Sequence, residues 1–363
     1  MRTRSSIHLL SVLFATCALQ VATNEDDSSC SFDLMKACRS SVSAVMKAVR
    51  VSEFGGVSVL KMKEDVIIPS PGPNEVLVRV HAAGVNPVET YIRSGKYPAL
   101  PNLPYTPGND AAGVVHSVGS KVSQFKKGDR VFTQLCTGAY AEFTTADQNS
   151  VFDLPERLSF AQGAALSIPY RTAYVALKRV QARASETVLI HGATGGVGIA
   201  AIQFARAYGM TVFGTGGSSQ GLEMALQNGA HKVFNHKESG YLDLIREATN
   251  DDGVDVILEM LANVNLGEDL KLLKMDGRVA VIGNRGTVEI NPRETMTKRL
   301  AIIGVGRFTD EEVKEAMAAV VGGIDQGWIT PLVGKEYLLE NVTEAHRDII
   351  DGNARGKMVL LVP

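Results

Sequence analysis

The chain has 363 residues, about two domains' worth, and its apolar (45%) and charged (21%) content is that of an ordinary globular protein. A formal net charge of -2 gives no electrostatic case for nucleic acid or an anionic membrane as the main partner. The four cysteines (Cys17, Cys30, Cys38, Cys136) make no Cys-x-x-Cys pair and no zinc-ligand spacing, so neither a disulfide framework nor a structural metal is implied. With one cysteine after residue 38, the folded part suits a reducing compartment.

At the N-terminus, Arg2 and Arg4 precede an apolar run over 7–22, and an acidic polar stretch over 24–29 follows. The pattern is that of a secretory signal peptide, with only a marginal cleavage site at Val21, Ala22 and Thr23. Glu25, Asp26 and Asp27 argue against a long organelle transit peptide. A third reading starts the fold at Met46 and makes the leader dispensable. The apolar run is too short for a confident membrane span, and residues 1–45 are left outside the fold.

From Met46 the pattern predicts strands over 47–52, 57–62, 75–83, 110–119, 129–133 and 139–145, with a loop marked by Pro69, Pro71 and Pro73. Many short strands at close spacing suggest a compact barrel-like domain. Helical spacing starts near Ser159, over 159–166 and 171–177. Strands at 187–191, 211–215, 232–234, 254–259 and 278–283 then alternate with helices at 199–207, 221–228, 241–248 and 266–273. Such alternation means an α/β domain with a parallel, doubly wound sheet. The tail adds a helix over 311–324, a segment over 329–337, a short helix over 342–350 and a final strand over 357–362.

The chain is organised around the strand, glycine turn and alanine-rich helix that run on from Glu186. Gly195 lets a backbone approach a pyrophosphate, Gly198 lets the helix pack on the strand, and the helix N-terminus offers free N–H groups to phosphates. Ala193 stands where the usual fingerprint has its first glycine. The bland alternative is a tight turn with no ligand; the flanking strand and helix favour the dinucleotide reading. The second strand runs into Gly216, Gly217, Ser218 and Ser219 with no carboxylate. An acidic residue there bonds the ribose 2′-OH of NAD and would repel a 2′-phosphate. Its absence favours NADPH, with Ser218 and Ser219 as donors and His236 or Lys237 as the positive partner. The alternative for the two serines is an ordinary solvated turn.

The stretch Gly84-Val-Asn-Pro-Val-Glu-Thr-Tyr-Ile-Arg-Ser-Gly95 resembles the substrate loop of the zinc-free quinone oxidoreductases of the zeta-crystallin type, in the medium-chain dehydrogenase/reductase superfamily. The resemblance continues through Leu103-Pro-Tyr-Thr-Pro-Gly-Asn-Asp110, Phe125-Lys-Lys-Gly-Asp-Arg-Val-Phe132, His191-Gly-Ala-Thr-Gly-Gly-Val-Gly198, Gln227-Asn-Gly-Ala-His231, Glu259-Met-Leu-Ala-Asn-Val-Asn-Leu266, Thr287-Val-Glu-Ile-Asn-Pro-Arg293 and Gly356-Lys-Met358. It covers essentially Met46 to Val362. It implies a GroES-like β-barrel domain interrupted by a Rossmann domain, with segments 46–168, 169–309 and 310–363 and an active cleft between the two domains. It also implies an NADPH site in which Tyr91 lies near the nicotinamide and Thr194, Gly195, Gly196 and Val197 hold the pyrophosphate. Gly217 and His236 lie at the adenosine end. Asn265, Ile282, Gly283, Asn284, Arg285, Val305, Gly306 and Arg307 line the rest.

Zinc-dependent relatives carry Cys where this chain has Asn86, and His-Glu where it has Asn109 and Asp110; oxygen donors at those positions do not make the site zinc prefers, so no metal is expected. The expected reaction is reduction of a quinone by NADPH without flavin, with one-electron transfer and a semiquinone product implied by the family. Asn86 and Tyr91 are the candidate donors to the quinone oxygen; the alternative for Asn86 is an Asn-Pro turn residue. Lys126, Lys127 and Lys357 are expected to be solvated, and His81 and His116 structural. The runner-up is an enoyl or enone reductase, where Tyr91 would serve as acid. A reading of another class is RNA binding or a lens-type structural role. The family implies a homo-oligomer, dimer or tetramer. The NADPH pool implies the cytoplasm, against secretion or an organelle if the leader functions.

Overall fold

Strands β1 (Val45–Arg50) and β2 (Lys61–Ile67) begin the computed structural model, which describes residues 44–352 and 355–363. The leader readings therefore lie outside the described residues. The strand expected over 57–62 is corrected: Val57–Val59 is a 3-10 turn, and Lys61 starts the strand. After Gly55 and Gly56 the backbone closes on itself, with Val59 N–H on the Gly56 carbonyl and Leu60 N–H on that of Val57.

The central strand of the barrel half is β3 (Glu75–Gly84), apolar at most positions because both of its faces are covered. It pairs antiparallel with β4 (Asp110–Val118), β6 (Phe143–Asp147) and β15 (Lys357–Leu361). The strands β5 (Arg130–Thr133), β7 (Val151–Asp153) and β14 (Val333–Leu338) complete this sheet. The C-terminal strand thus returns to the barrel half after the second sheet is built.

That second sheet holds β8 (Thr187–Ile190), β9 (Thr211–Gly216), β10 (Lys232–Asn235), β11 (Val254–Glu259), β12 (Leu273–Val281) and β13 (Ala301–Gly304). Its pairings are all parallel, in the order β10-β9-β8-β11-β12-β13. This is the dinucleotide-fold order, which reverses direction between β8 and β11, where such sheets open a crevice for ligand. The sixth strand, β13, was not among the expected elements. It has four residues of alternating exposure at the sheet edge, a thin signal beside the fully buried β11. One apolar cluster runs through both halves: Ala82, Ala112 and Phe132 pack in it with Tyr170, Ile190, Phe204 and Val359.

The helix Val342–Ile350 is sealed to the barrel by His346, which is fully buried. The Tyr140 hydroxyl donates to Glu89 Oε2 at 2.6 Å, so His346 Nε2 must carry the proton it shares with the Tyr140 oxygen at 3.2 Å. Nδ1 is left buried without a partner. Burial, and to a smaller extent Arg93, push the imidazole down to about 3 from 6.5. The unfolded chain binds this proton below pH 6.5 and the folded chain does not, so stability falls as pH drops from 6.5 towards 3. Denaturant melts should lose about 2 kcal/mol from this group between pH 6.5 and 5, and His346→Gln should remove that part of the slope.

Candidate active site

The turn after β8 is built for close approach. Gly192 lies in the left-handed region at φ +59°. A β-carbon on Gly198 would sit 2.4 Å from the Gly192 carbonyl oxygen and 2.6 Å from Ala193 Cα, so only glycine lets the helix Gly196–Ala207 meet the turn there. At Gly195, which caps that helix, a β-carbon would meet only the Gly192 oxygen, at 3.6 Å. This leaves open room over the helix N-terminus, as a pyrophosphate requires. The Thr194 carbonyl accepts the Gly356 N–H at 2.7 Å, and its methyl faces Gly216 and Gly221.

At the adenosine end, a β-carbon on Gly217 would come 2.8 Å from His236 Nε2 and 3.0 Å from Lys237 Cε. The two residues suggested as positive partners therefore flank the carboxylate-free turn. Burial, then His191 and Lys237, lower the His236 pKa, which leaves the charge to Lys237. Ser218 caps the next helix by accepting the Gly221 N–H at 3.3 Å, and its hydroxyl proton stays free. This donor set fits a dinucleotide with a 2′-phosphate.

Tyr91, expected near the nicotinamide, and Arg285, expected to line the rest of the cofactor site, meet across 194 positions of sequence: Arg285 Nε donates to the Tyr91 hydroxyl oxygen at 3.1 Å. The hydroxyl proton of Tyr91 remains available to a ligand. Arg285 is held by Asn263 and the Ile350 carbonyl, and Asn284 by the Gly286 carbonyl. Ile282 and Gly283 follow β12 with N–H bonds to the Glu259 carbonyl. Val305 is buried and bonds Val281; Gly306 is open, and Arg307 is exposed. Asn265 gives its amide N–H bonds to both oxygens of Glu259, at 3.2 Å each, and keeps its carbonyl oxygen free.

Under this turn lies a triad that motif reading missed. His191 Nε2 is 2.9 Å from Asp269 Oδ1 and Nδ1 is 3.1 Å from Thr215 Oγ1; Glu259 Oε2 stands 3.7 Å from Nε2. Burial disfavours charge on His191, but Asp269 and Glu259 outweigh it and raise its pKa. Burial pushes Glu259 up to about 7. The three residues bring ligand atoms within 4.8 Å of one another. Their bonds to each other, Asn265 and Leu261 make them a hydrogen-bonded support for the β11 turn.

A dense polar cluster lies in the barrel half, where β4, β15 and the helix Pro87–Arg93 meet. Asn86 caps the helix Pro87–Arg93, so the turn-residue reading of Asn86 holds. The donor role expected of it is corrected: its amide hydrogens already go to Glu89 Oε1 at 3.1 Å and Asp110 Oδ2 at 2.9 Å, and only 2% of the residue is exposed. Glu89 accepts four bonds, from the Asn86 backbone and side chain, Asn109 N–H and the Tyr140 hydroxyl. These donors and Lys357 favour its anion, but burial is the larger influence and raises its pKa. Asp110 also accepts the Ile168 N–H, at 3.2 Å. The expectation of a solvated Lys357 is overturned. Its ammonium binds Asn86 Oδ1 and lies 3.1 Å from Asp110 Oδ2, with the side chain 5% exposed. Amide and carboxylate oxygens already engaged by an ammonium do not fit a zinc ion. A cavity of about 680 Å³ is lined by Glu89 and Asn109 with Ile92, Leu100, Tyr105 and Phe143; its lining runs only from Met46 to Phe143, so it belongs to the barrel half and not to the dinucleotide crevice.

With this geometry in hand, the likenesses to known proteins are specific. Residues 72–156 match the alcohol dehydrogenase GroES-like domain, and residues 196–322 match the zinc-binding dehydrogenase family. The quinone oxidoreductase of Rattus norvegicus is 56% identical over 323 residues, covering 88% of this chain and 98% of the relative. That of Homo sapiens is 55% identical with the same coverage. The crystal structure of Escherichia coli quinone oxidoreductase complexed with NADPH superposes with a TM-score of 0.78 at 32% identity, covering 87% of this chain and 99% of that one. Among the described residues no helix is long and apolar enough to cross a membrane. The order of the parallel strands, the glycine turn and these likenesses together mean that the chain belongs to the quinone oxidoreductases of the zeta-crystallin type, within the medium-chain dehydrogenase/reductase superfamily.

Proposed function

We propose that the protein is an NADPH-dependent quinone reductase that works without zinc or flavin. The observation that carries the reading is the turn after β9, where Lys237 and neutral His236 flank Gly217 and no carboxylate opposes a 2′-phosphate. The quinone comes from the activity for which the relatives are named, and the strand order puts the switch point of the parallel sheet, where such folds bind their ligands, at β8 and β11.

Bound NADPH supplies the reducing electrons from its nicotinamide. The chain does the binding and orienting. Thr194, Gly195, Gly196 and Val197 would hold the pyrophosphate, with the N–H groups of Gly196 and Val197 as its donors because that of Gly195 is bonded to the Gly192 carbonyl, and Gly217 and Lys237 would take the 2′-phosphate. Asn265, Ile282, Gly283, Asn284, Arg285, Val305, Gly306 and Arg307 would line the rest of the cofactor site. Tyr91, its oxygen held by Arg285, offers its O–H to the quinone. A quinone needs little acid, because the charge it gains is delocalised. We take transfer to be one electron to each of two quinones, as in the zeta-crystallin type. The domain limits 46–168, 169–309 and 310–363, a homo-oligomeric state and a cytoplasmic site of action belong to the same proposal. RNA is at most a competitor for the dinucleotide crevice.

Enone reduction is the competing reaction, because Tyr91 keeps a proton to give. The two separate on the Tyr91→Phe variant. Quinone reduction should keep its kcat within a few-fold and lose NADPH affinity, whereas an enone reductase should lose ~10²–10⁴-fold in kcat. Wild-type turnover of an enone but not an ortho-quinone would reject the proposal. Lys237→Ala tests the cofactor end: the KM for NADPH should rise about tenfold or more and that for NADH should stay, since an exposed phosphate contact of this kind is worth upwards of ~1.4 kcal/mol.

A further inference from the structure

Lys357 spans the two halves of the protein in a way that charge neutralisation alone does not require. It begins β15, directly after Gly356, whose N–H is bonded to the Thr194 carbonyl and which bridges to Gly195. Gly356 sits at φ +65°, and a β-carbon there would come 2.8 Å from the Leu332 carbonyl oxygen, so glycine is needed for this seat. The backbone of Lys357 is therefore pinned to the dinucleotide turn. Its stem then passes two more glycines, one from each half. A β-carbon on Gly196 would lie 3.4 Å from Lys357 Cδ, and one on Gly84 would lie 2.8 Å from Lys357 Cε and 3.0 Å from Asp110 Cβ. Beyond them the ammonium meets Asn86 and Asp110. An ammonium has three protons, and two acceptors hold it here.

We propose that Lys357 is a positioning residue that sets a fixed positive charge beside Asn86 and Asp110 in the active site. It orients Asn86 and Asp110 and steadies the negative charge that the quinone oxygen gains. The proposal rests on the quinone-reductase reading above. In that reaction one NADPH gives two electrons and a proton and becomes NADP⁺; each of two quinones takes one electron and becomes its radical anion, and the proton goes to solvent. Charge therefore appears on oxygen with no metal to receive it, and a cation held in a dry site stabilises it strongly. Of these glycines it is Gly84 whose missing side chain makes room for the lysine stem, while Gly356 seats the backbone of the residue before it.

The competing explanation is that Lys357 only neutralises buried Asp110. The double variant Lys357→Met with Asp110→Asn removes both charges and leaves no unpaired ion. Lys357→Gln combined with Asp110→Asn, which keeps a donor but neither charge, repeats the test with a polar side chain. The full-length chain would be followed by thermal midpoint, NADPH affinity, kcat with an ortho-quinone, and the apparent pKa of bound 4-nitrophenol read by absorbance. In the variants the midpoint and NADPH affinity should stay near wild type, and kcat should fall by about 10²-fold. The probe's pKa should be lowered by wild type and not by the variants. Variants with wild-type kcat and an unchanged probe titration would overturn the proposal and make Lys357 structural; so would a wild type that does not lower the probe's pKa. A wild type that lowers the probe's pKa yet reduces no quinone would instead reject the quinone reading and leave the charge standing.

Discussion

The junction between Gly356–Lys357 and the dinucleotide turn is the contact on which the arrangement depends. The last strand of the chain belongs to the barrel sheet, yet its first residues hydrogen-bond Thr194 and bridge Gly195 in the other half. One lysine side chain then reaches back to Asn86 and Asp110, which open the helix Pro87–Arg93 and β4. The cofactor turn and the polar floor of the barrel half are thus fixed to each other by a backbone bond and an ion pair. The shared apolar cluster does the bulk of the packing. The polar junction sets which atoms face one another.

Polar groups buried this deeply need partners, and the two clusters meet that need differently. Around Glu89, four donors and a nearby ammonium surround a carboxyl in a dry site. Under β11, Glu259 and Asp269 share one imidazole, and Glu259 also orders Asn265 at the edge of the crevice. The second arrangement explains why the end of β11 carries an acid although that strand is buried along its whole length. The acid there braces the turn from beneath, while the turn after β9 stays free of carboxylate.

The parallel sheet and its glycine turn could be read from the sequence because their signals are local: alternating elements, a buried strand, and small residues at fixed offsets. β13 escaped because a four-residue edge strand has almost no pattern. For the site, the family motif names candidate residues one at a time. It failed where chemistry depends on contacts between distant segments. Nothing near Lys357 marks it as buried; the room for its stem comes from Gly84 and its partners are Asn86 and Asp110, all far away in the chain. Asn86 is a candidate donor in the sequence, but in the fold its two N–H groups are committed to Glu89 and Asp110. Tyr91 and Arg285 were named separately, and only folding shows that one holds the other.

Equilibrium binding of the two nicotinamide cofactors to the full-length chain, followed by the fluorescence of the reduced ring, tests the account most directly. The carboxylate-free turn beside Lys237 predicts that NADPH binds at least tenfold more tightly than NADH, with the difference shrinking as salt screens the 2′-phosphate. Equal affinities, or tighter binding of NADH, would contradict the assignment of that turn and with it the proposed reaction.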